Sequence, residues 1–583
     1  MLVGLGVLVL LLLAAAGWLA HLGLQAKNDL EAAKSDLSTA RAALVSGDTA
    51  TADRAVAGAQ ANAAHAYANT RSPLWRAAGV VPWAGTSMRT AAALADAVHT
   101  MARDVLPGLV AVRDELDPAR LRPVGGKIDV AALTAAAPTL GQLVARTAAV
   151  ESQVAVLPRT GVPSVLARAV TDLQTLLDQT RSTLDEGWLG ARLLSPMLGA
   201  DGPRTYLVVF QNNAEARGTG GLIGAYAVIT ASKGAVSVQR LGSVADLKSL
   251  TAPALNLGAD YQGLYGSDPG LWVNVNMSPH FPYAAALMAD MWRRQFGTSL
   301  DGVIATDPVA LSDVLTATGP VTLADGSPVS ADTAVALTMK DVYARWPLET
   351  QNGPRDAYLQ SVAKSVFDAL LSGSGQPRAL LTQLGAAVGA RRLLVYSAHP
   401  AEESLLEQTP LAGAVDGLPG PYAALVVNNA GGNKLDYYLG RTLDYALGSC
   451  TTQGRSSVIT ATLTNGAPAS GLPLYARLRL DRGSFSSAVA REGDGSTHEI
   501  VQVYAAVGAE LTSATLDGAP VSVAPGTERG RPVYVVQLDI APGRRSVLKL
   551  DLLEPASTAA PRAWVQPLVQ PATVAVTPGP GCS

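Results

Sequence analysis

The chain has 583 residues, which is enough for several domains of about 100–200 residues each. Lys and Arg number 44 and Asp and Glu 47, which gives a net charge of −3. The composition therefore lacks the strong basic excess of a nucleic-acid-binding protein, and we expect no nucleic-acid partner. Hydrophobic residues at 48% and charged residues at 16% argue against wholesale disorder. Two Cys and six scattered His argue against a zinc finger or ribbon.

The N-terminal segment is uncharged and apolar. Residues 1–26 contain no Asp, Glu, Lys or Arg, and residues 2–24 are apolar apart from His21. About 20 such residues can cross a bilayer as a helix, and Trp18 and His21 are of the kind found at membrane interfaces. A cleaved signal peptide is the alternative, although its apolar core is usually about 7–15 residues long behind a basic start. The sequence predicts an uncleaved transmembrane anchor at 1–26, and hence a single-pass protein of the cell membrane.

The two cysteines bear on the location of the rest of the chain. Cys450 opens the C-terminal region, and Cys582 is the penultimate residue. A disulfide between them would fasten the chain end in an oxidising compartment, whereas the alternative is two unpaired thiols. We predict the disulfide, with the bulk of the chain extracytoplasmic.

Residues 27–195 have helical patterns throughout. Apolar residues at positions 30, 33, 37, 40 and 44 follow the 3-4 spacing of a helix that packs on another helix. Further helical patterns cover 51–70, 87–116, 129–157 and 163–193. We predict an α-helical stalk, through which two copies of the chain could associate.

The pattern changes twice after the stalk. Within 196–445, apolar strand patterns at 205–210, 225–230 and 302–306 alternate with helical patterns, which predicts a central α/β layer domain. Within 446–583, short strand patterns separated by Gly, Pro and Asp predict a C-terminal β-sandwich. The predicted fold is multi-domain α+β, in the order transmembrane helix, helical stalk, α/β layer domain and β-sandwich.

The most unusual stretch is QNNAEARGTGGLIG at residues 211–224, between two strands. Loops at sheet ends can host ligands. Glycine backbone amides and an arginine such as Arg217 are suited to bind phosphate. The spacing is neither that of a dinucleotide-binding loop nor that of a P-loop. The alternative is a tight turn whose Asn and Glu side chains hold its own backbone.

A second polar stretch, NNAGGNKLDYY at 428–438, also follows a strand. It either completes the same crevice or forms a long turn. We predict that the two stretches face each other, with Arg217 pointing into the crevice and Arg345 or Arg355 close enough to share one anion with it.

Four sequence blocks carry a family resemblance. They are QNNAEARGTGGLIGAY, SPHFPYAAALM, DGVIATDPVALSDVLTATGPVTL and VVNNAGGNKLDYYLGR, in this order. Together they resemble an uncharacterised envelope-protein family of Gram-positive bacteria, domain of unknown function 4012, over about residues 200–440. The resemblance implies an envelope location and a fold, because the family has no established activity.

The same order of elements is similar, more distantly, to the LytR-CpsA-Psr glycopolymer transferases. That resemblance implies an α/β fold of their type, arginines on a polyprenyl pyrophosphate and an acid-held divalent metal such as Mg²⁺. The family's Arg-x-Asp-Thr and Arg-Asp acids have no clear match here, which leaves Glu215 or Asp246 as substitute metal ligands. The residues predicted to contact the phosphate or pyrophosphate ligand are Arg217, Arg240, Arg345, Arg355, Asn212, Asn213, Gly220, Gly221, Asn433, Lys434 and Asp436.

Three functions follow as hypotheses. The first is a membrane-anchored extracytoplasmic protein that binds a lipid-linked glycan or a cell-wall polymer without catalysis. The second is a metal-dependent phosphotransferase or ligase acting on polyprenyl-pyrophosphate-linked glycans, which would need a carboxylate-held metal. The third is a scaffold without a ligand, in which the basic residues would be dispersed.

Overall fold

A computed structural model describes residues 2–113, 115, 117, 120, 122–483 and 495–582, and of residues 2–13, 45 and 349 the backbone alone. The chain forms two compact units. A helical unit comprises residues 1–122 and 128–200, and a second unit comprises residues 123–127 and 201–583. The architecture is thus multi-domain α+β, with the helices of the predicted stalk in one unit.

The helical unit is built from long helices with small side chains at their contacts. Its α-helices are α1 (Leu2–Ser46), α2 (Thr49–Thr70), α3 (Pro73–Ala78), α4 (Gly85–Thr100), α5 (Leu106–Val112), α6 (Val130–Ala155) and α7 (Ser164–Met197). Gly47, at a φ of 75°, breaks the helix between α1 and α2, and Asp48 caps α2 by accepting a hydrogen bond from the Thr51 amide at 3.0 Å. Ala33, Ala40 and Ala59 are fully buried in the core, where their small size lets the helices approach closely.

The N-terminal segment corrects the sequence prediction. Within the described part of the chain, no helix has both the length and the apolar character needed to cross a membrane. The apolar start belongs to α1, a single helix of 45 residues in which Leu22 and Ala26 are buried. The predictions of a transmembrane anchor at 1–26 and of single-pass cell-membrane localisation are therefore wrong.

The first part of the second unit is an α/β layer. Its elements are β1 (Arg204–Arg217), β2 (Gly220–Ser232), β3 (Ala235–Ser243), α8 (Ala259–Tyr265), α9 (Phe281–Phe296), β4 (Gly302–Thr306), α10 (Pro308–Thr318), β5 (Val321–Thr322), β6 (Pro328–Val329), α11 (Ala331–Ala336), α12 (Val342–Arg345), α13 (Asn352–Leu371), α14 (Pro377–Gly389), β7 (Leu394–Ser397) and α15 (Pro400–Leu406). The main sheet has the order β3-β2-β1-β4-β7. Within it β1 and β4 are parallel, with Tyr206 opposite Gly302, and the other neighbours are antiparallel.

The α/β layer has its own hydrophobic core. Leu207 and Val209 of β1 and Val303 of β4 pack with the buried face of α9, which includes Phe281 and Leu287. Leu207 and Val209 are alternate residues, so one face of the first half of β1 is buried in this core. Ala216, near the end of the strand, belongs to the core of the two-sheet part described next.

The second part of this unit is made of two sheets over one core. Its elements are β8 (Tyr422–Asn429), β9 (Leu439–Thr451), β10 (Gly454–Asn465), α16 (Leu474–Arg477), β11 (Thr497–Tyr504), β12 (Glu510–Leu516), β13 (Ala519–Pro520), β14 (Ala524–Glu528), β15 (Arg531–Ile540), β16 (Arg545–Glu554), β17 (Arg562–Val565) and β18 (Thr573–Thr577). The sheet orders are β14-β15-β11-β8-β17 and β13-β12-β16-β10-β9-β18. Val427 and Val501 of the first sheet share a core with Leu443, Ile459 and Leu550 of the second.

Two further sequence predictions concern this region. Cys450 and Cys582 form a disulfide, with their Cα atoms 5.6 Å apart, which confirms the predicted pairing. By its position, β8 falls within residues 196–445, where the sequence predicts the α/β layer domain. In the structure it instead lies between β11 and β17 of the sandwich.

Candidate functional site

The polar stretch 211–224 is a strand hairpin rather than a loop. β1 continues through residues 212–217 with an irregular register between Asn212 and Ala216, and β2 starts at Gly220. Gly221 lies against the opposite strand, so a Cβ there would come within 2.3 Å of the Asn212 backbone. Its amide donates to Gln211 Oε1 at 3.0 Å. Gly221 is therefore required by close strand approach, and its amide already has a protein partner.

The hairpin and the 428–438 stretch do meet, as predicted. The Ala216 amide donates to Asp436 Oδ2 at 2.6 Å, and the Gly218 amide donates to Asn428 Oδ1 at 3.0 Å. We call the contact between residues 211–221 and residues 428–438 the hairpin junction. Backbone groups of the first stretch are satisfied by its own side chains, as in the turn alternative, since the Ala214 amide donates to Asn212 Oδ1 at 3.1 Å. Side chains of the second stretch satisfy others across the junction.

Arg217 lies inside the hairpin junction. Its side chain donates to four oxygens: the Val273 carbonyl at 3.0 Å, Asn274 Oδ1 at 2.9 Å, the Ala216 carbonyl at 2.8 Å and the Asn429 carbonyl at 2.9 Å. Burial of the guanidinium lowers the pKa of Arg217. Protein oxygens thus hold the side chain where the sequence analysis expected an anion.

Two buried carboxyl groups stand next to Arg217. Asp436 and Glu499 are both fully buried, and Asp436 Oδ1 and both carboxyl oxygens of Glu499 have no hydrogen-bond partner within the described parts of the chain. Burial raises the pKa of Asp436 and raises that of Glu499 well above its usual range. Burial and the nearby charge of Asp436 both raise the pKa of Glu499, so the neutral form of Glu499 is favoured in the folded chain.

Glu499 was missed by the sequence analysis. It occupies an inward-facing position of β11, in the run THEIVQVY, opposite Asn429 of β8. The signal available in the sequence is a lone acid at an alternating position of a strand pattern, where a buried charge is costly unless it is paired.

A second cluster of side chains surrounds Glu215 of the hairpin. Lys434 Nζ is 2.6 Å from Glu215 Oε1, with both side chains about nine-tenths buried. The rings of Tyr343 and Tyr475 are stacked with centroids 5.7 Å apart. Lys434 Nζ lies 5.0 Å from the Tyr475 centroid, and the Arg355 guanidinium carbon lies 3.8 Å from it. We call these five residues the tyrosine cluster, in which both cations rest on aromatic faces.

The remaining predicted residues have separate environments. Asn212 donates to the Tyr343 hydroxyl at 2.7 Å, so it joins the tyrosine cluster. Asn213 and Asn433 are fully buried, and they donate to the backbone carbonyls of Pro567 and Ser496. Gly220 is buried at the start of β2.

The predicted arginines do not converge on Arg217. Arg355 is buried and donates to the Trp346 carbonyl at 2.8 Å. Arg345 is half-exposed over the Trp346 ring, 3.9 Å from Asp325. Arg240 is exposed on β3 over the Tyr226 and Phe296 rings. Each arginine therefore has its own local partners, which differ from those of Arg217.

The two acids considered as metal ligands have structural partners. Glu215 pairs with Lys434, and Asp246 accepts a hydrogen bond from the Ser243 amide at 3.0 Å as part of a capping box. Among the described residues, no group of three or more His, Cys, Asp or Glu side chains is arranged to hold a metal ion. Neither Glu215 nor Asp246 belongs to such a group.

An apolar cavity adjoins the hairpin junction at the end of β1. Its volume is about 60 Å³. Its lining residues are Phe210, Gln211, Asn212, Gly224, Ala225, Pro308, Leu311, Thr338, Met339, Leu359, Val362 and Ala363. Lys340 follows this lining along the chain with its side chain 45% exposed. The cavity is therefore an apolar slot with the Asn212 side-chain amide at its edge. The Lys340 cation follows the lining residue Met339 along the chain.

Comparison with known proteins bears on this part of the chain. Residues 201–343 match the model of a family described as protein of unknown function (DUF4012). The match runs from just before β1 to Tyr343, so it includes the hairpin and half of the stacked tyrosine pair. No curated protein is significantly similar to the chain. The resemblance to domain of unknown function 4012 is thus confirmed over residues 201–343.

Proposed function

We propose that this chain is a non-catalytic binding protein for a lipid-linked glycan or a related cell-wall polymer. The observation that carries the proposal is the apolar cavity beside Asn212, next to exposed cations. The cavity of about 60 Å³ is far smaller than the roughly 300–1,000 Å³ of pockets that enclose a whole small molecule. It would therefore receive only a short apolar segment of an amphipathic ligand, whose charged end stays at the surface.

The charged end of the ligand would be held by surface cations. Lys340 and Arg345 are half-exposed, and each has one half-exposed acid nearby, Asp341 at 3.4 Å and Asp325 at 3.9 Å. Both cations lie in the segment that follows the cavity lining. Guanidinium and ammonium groups bind phosphate oxygens through charge-assisted hydrogen bonds. These two residues, rather than Arg217, are the proposed contacts to a pyrophosphate.

The acids of the region favour binding over catalysis. Glu215 is engaged by Lys434, Asp436 by the Ala216 amide, and Asp246 by the Ser243 amide. A metal-dependent phosphotransferase would need carboxylates directed at its metal. Because these carboxylates hold protein groups together, the binder hypothesis is the better supported of the two.

Geranylgeranyl pyrophosphate is a suitable probe, added to the purified full-length chain and followed by titration calorimetry. Ala363→Phe fills the cavity with a ring, and we expect it to weaken binding about tenfold, which equals about 1.4 kcal/mol. Lys364→Gln is the matched control on α13, because Lys364 pairs with Asp368 at 2.5 Å and is absent from the cavity lining.

Three results would contradict the proposal. They are no binding to the wild-type chain, equal binding by Ala363→Phe and wild type, and an equal loss in Lys364→Gln. Release of phosphate or transfer of the pyrophosphate group on addition of Mg²⁺ would instead favour the enzyme hypothesis.

A further inference from the structure

The helical unit contains a cavity that is independent of the hairpin junction. It lies between α1, α4 and α7 and has a volume of about 510 Å³. Cavities that hold small molecules span about 300–1,000 Å³ and are mostly apolar with a few polar groups. The volume alone therefore places this cavity among those able to enclose a small ligand.

The walls of the cavity are apolar. Leu30, Leu94 and Leu173 contribute side chains from three helices, and Trp75 closes one part of it. The indole Nε1 of Trp75 donates to the Met88 carbonyl at 3.0 Å, so the polar atom of the ring is already satisfied. The wall thus presents hydrocarbon, which favours a hydrocarbon chain over a sugar or a nucleotide.

The rim of the cavity carries a surplus positive charge. Lys27 pairs with Glu31 at 3.2 Å, and Lys34 pairs with Asp172 at 2.7 Å. Arg168 also lines the cavity, and within the described parts of the chain it has no ion-pair or hydrogen-bond partner. Two acids therefore balance two lysines, which leaves one guanidinium for a ligand.

We propose that this cavity binds a single-chain lipid carboxylate, with the acyl chain between α1, α4 and α7 and the carboxylate on Arg168. A guanidinium can hold a carboxylate through two parallel hydrogen bonds. Each methylene removed from water contributes about 0.8 kcal/mol, so the chain supplies most of the affinity and Arg168 selects the anionic head group.

Binding can be measured with cis-parinaric acid, a carboxylate whose fluorescence rises in apolar surroundings, and with its methyl ester. In the full-length chain, Arg168→Gln should weaken binding of the acid about tenfold and leave binding of the ester unchanged. Ala91→Phe, which places a ring in the cavity lining, should weaken binding of both probes. Arg54→Gln is the control, since Arg54 is exposed on α2 and donates to the Ala50 carbonyl at 3.1 Å.

Several outcomes would overturn the proposal. They are no binding of the acid to the wild-type chain, the same affinity in Ala91→Phe as in wild type, and equal effects of Arg168→Gln and Arg54→Gln. Concentration-dependent dimerisation that Ala91→Phe abolishes would assign the cavity to self-association instead. Because Ala363→Phe changes only the other cavity, its effect on geranylgeranyl pyrophosphate separates this proposal from the function proposed above.

Discussion

At the residue scale, the buried charges of the hairpin junction balance only if one acid stays neutral. Arg217 is largely buried near the fully buried acids Asp436 and Glu499. One positive and one negative charge compensate each other, while a second negative charge would be left unpaired in a low-dielectric interior. The raised pKa of Glu499 favours its neutral form, which removes that second charge, so we expect the stability of the junction to depend on pH.

Glu499→Gln should change the pH dependence of stability. The pKa of Glu499 is raised in the folded state, so above about pH 4.5 the unfolded chain releases a proton that the folded chain retains. The stabilising contribution of Glu499 is therefore complete below the pKa of the unfolded chain. It is lost by about 1.4 kcal/mol per pH unit as the pH rises toward the folded pKa. Glutamine does not titrate. The free energy of unfolding of the variant, relative to that of wild type, should therefore rise by about 1–3 kcal/mol between pH 5 and pH 8.

Urea unfolding at the two pH values measures this difference. Glu510→Gln is the matched control, because Glu510 is exposed at the start of β12, and it should keep the wild-type pH dependence. Parallel pH profiles for wild type and Glu499→Gln would show that protonation of Glu499 does not affect folding.

Gly221→Ala should destabilise the second unit by at least about 2 kcal/mol. The added Cβ would lie 2.3 Å from Asn212 backbone atoms, and backbone cannot move aside as a side-chain end can. Gly224→Ala is a control on the same strand, since a Cβ there meets nothing within 4 Å, and it should equal or slightly exceed wild type in stability. Thermal unfolding compares the two, and equal melting temperatures would contradict the steric argument.

At the element scale, local patterns predicted elements better than they predicted pairing partners. The strands at 205–210, 225–230 and 302–306 were predictable because alternating or apolar runs between turn residues are a local signal. The continuation of β1 to Arg217 was not, because its irregular register interrupts the alternation. Within 446–583, where short strands are predicted, residues 474–477 instead form the short helix α16.

Long-range pairing explains the rest of the difference. β8 is buried along its whole length, a pattern equally typical of a central α/β strand and of a sandwich core strand. Its partners β11 and β17 are distant in sequence, and no local pattern reports them. The meeting of the two polar stretches was predictable because each follows a strand end. The presence of Glu499 at the junction was not, because it results from the pairing of β11 with β8.

The start of α10 provides an element-scale prediction. Asp307 caps the helix by accepting from the Ala310 amide at 2.8 Å and also pairs with Arg392 at 2.6 Å, with both side chains largely buried. Asp307→Ala should cost about 3 kcal/mol, because it leaves an uncompensated charge in a mostly buried site. Ser330→Ala removes a more exposed cap from α11 and should cost about 1 kcal/mol. Equal losses of unfolding free energy would contradict a role for the ion pair.

At the scale of the second unit, the C-terminal segment joins the α/β layer to the sandwich. Gln566 accepts from the Val427 amide at 2.6 Å and also donates to the Arg217 carbonyl. Arg392, from the α/β layer, donates to the Leu568 carbonyl at 2.6 Å. The C-terminal segment thus contacts both parts of the unit. It continues into β18, which pairs with β9, and the Cys450–Cys582 disulfide then fastens the residues that follow β18.

Removing the disulfide should therefore loosen more than the chain end. Cys450→Ser with Cys582→Ser opens a loop of 132 residues, and the chain-entropy model gives about 4–5 kcal/mol for closing a loop of this size. We expect a lower melting temperature, together with faster amide hydrogen exchange in β18 and around Gln566, because the released end frays back toward the hairpin junction. Wild type with a reducing agent should match the double variant, and the double variant should not respond to that agent. A double variant that melts and exchanges like oxidised wild type would show that β-strand pairing alone holds the end, and that the hairpin junction does not depend on the disulfide.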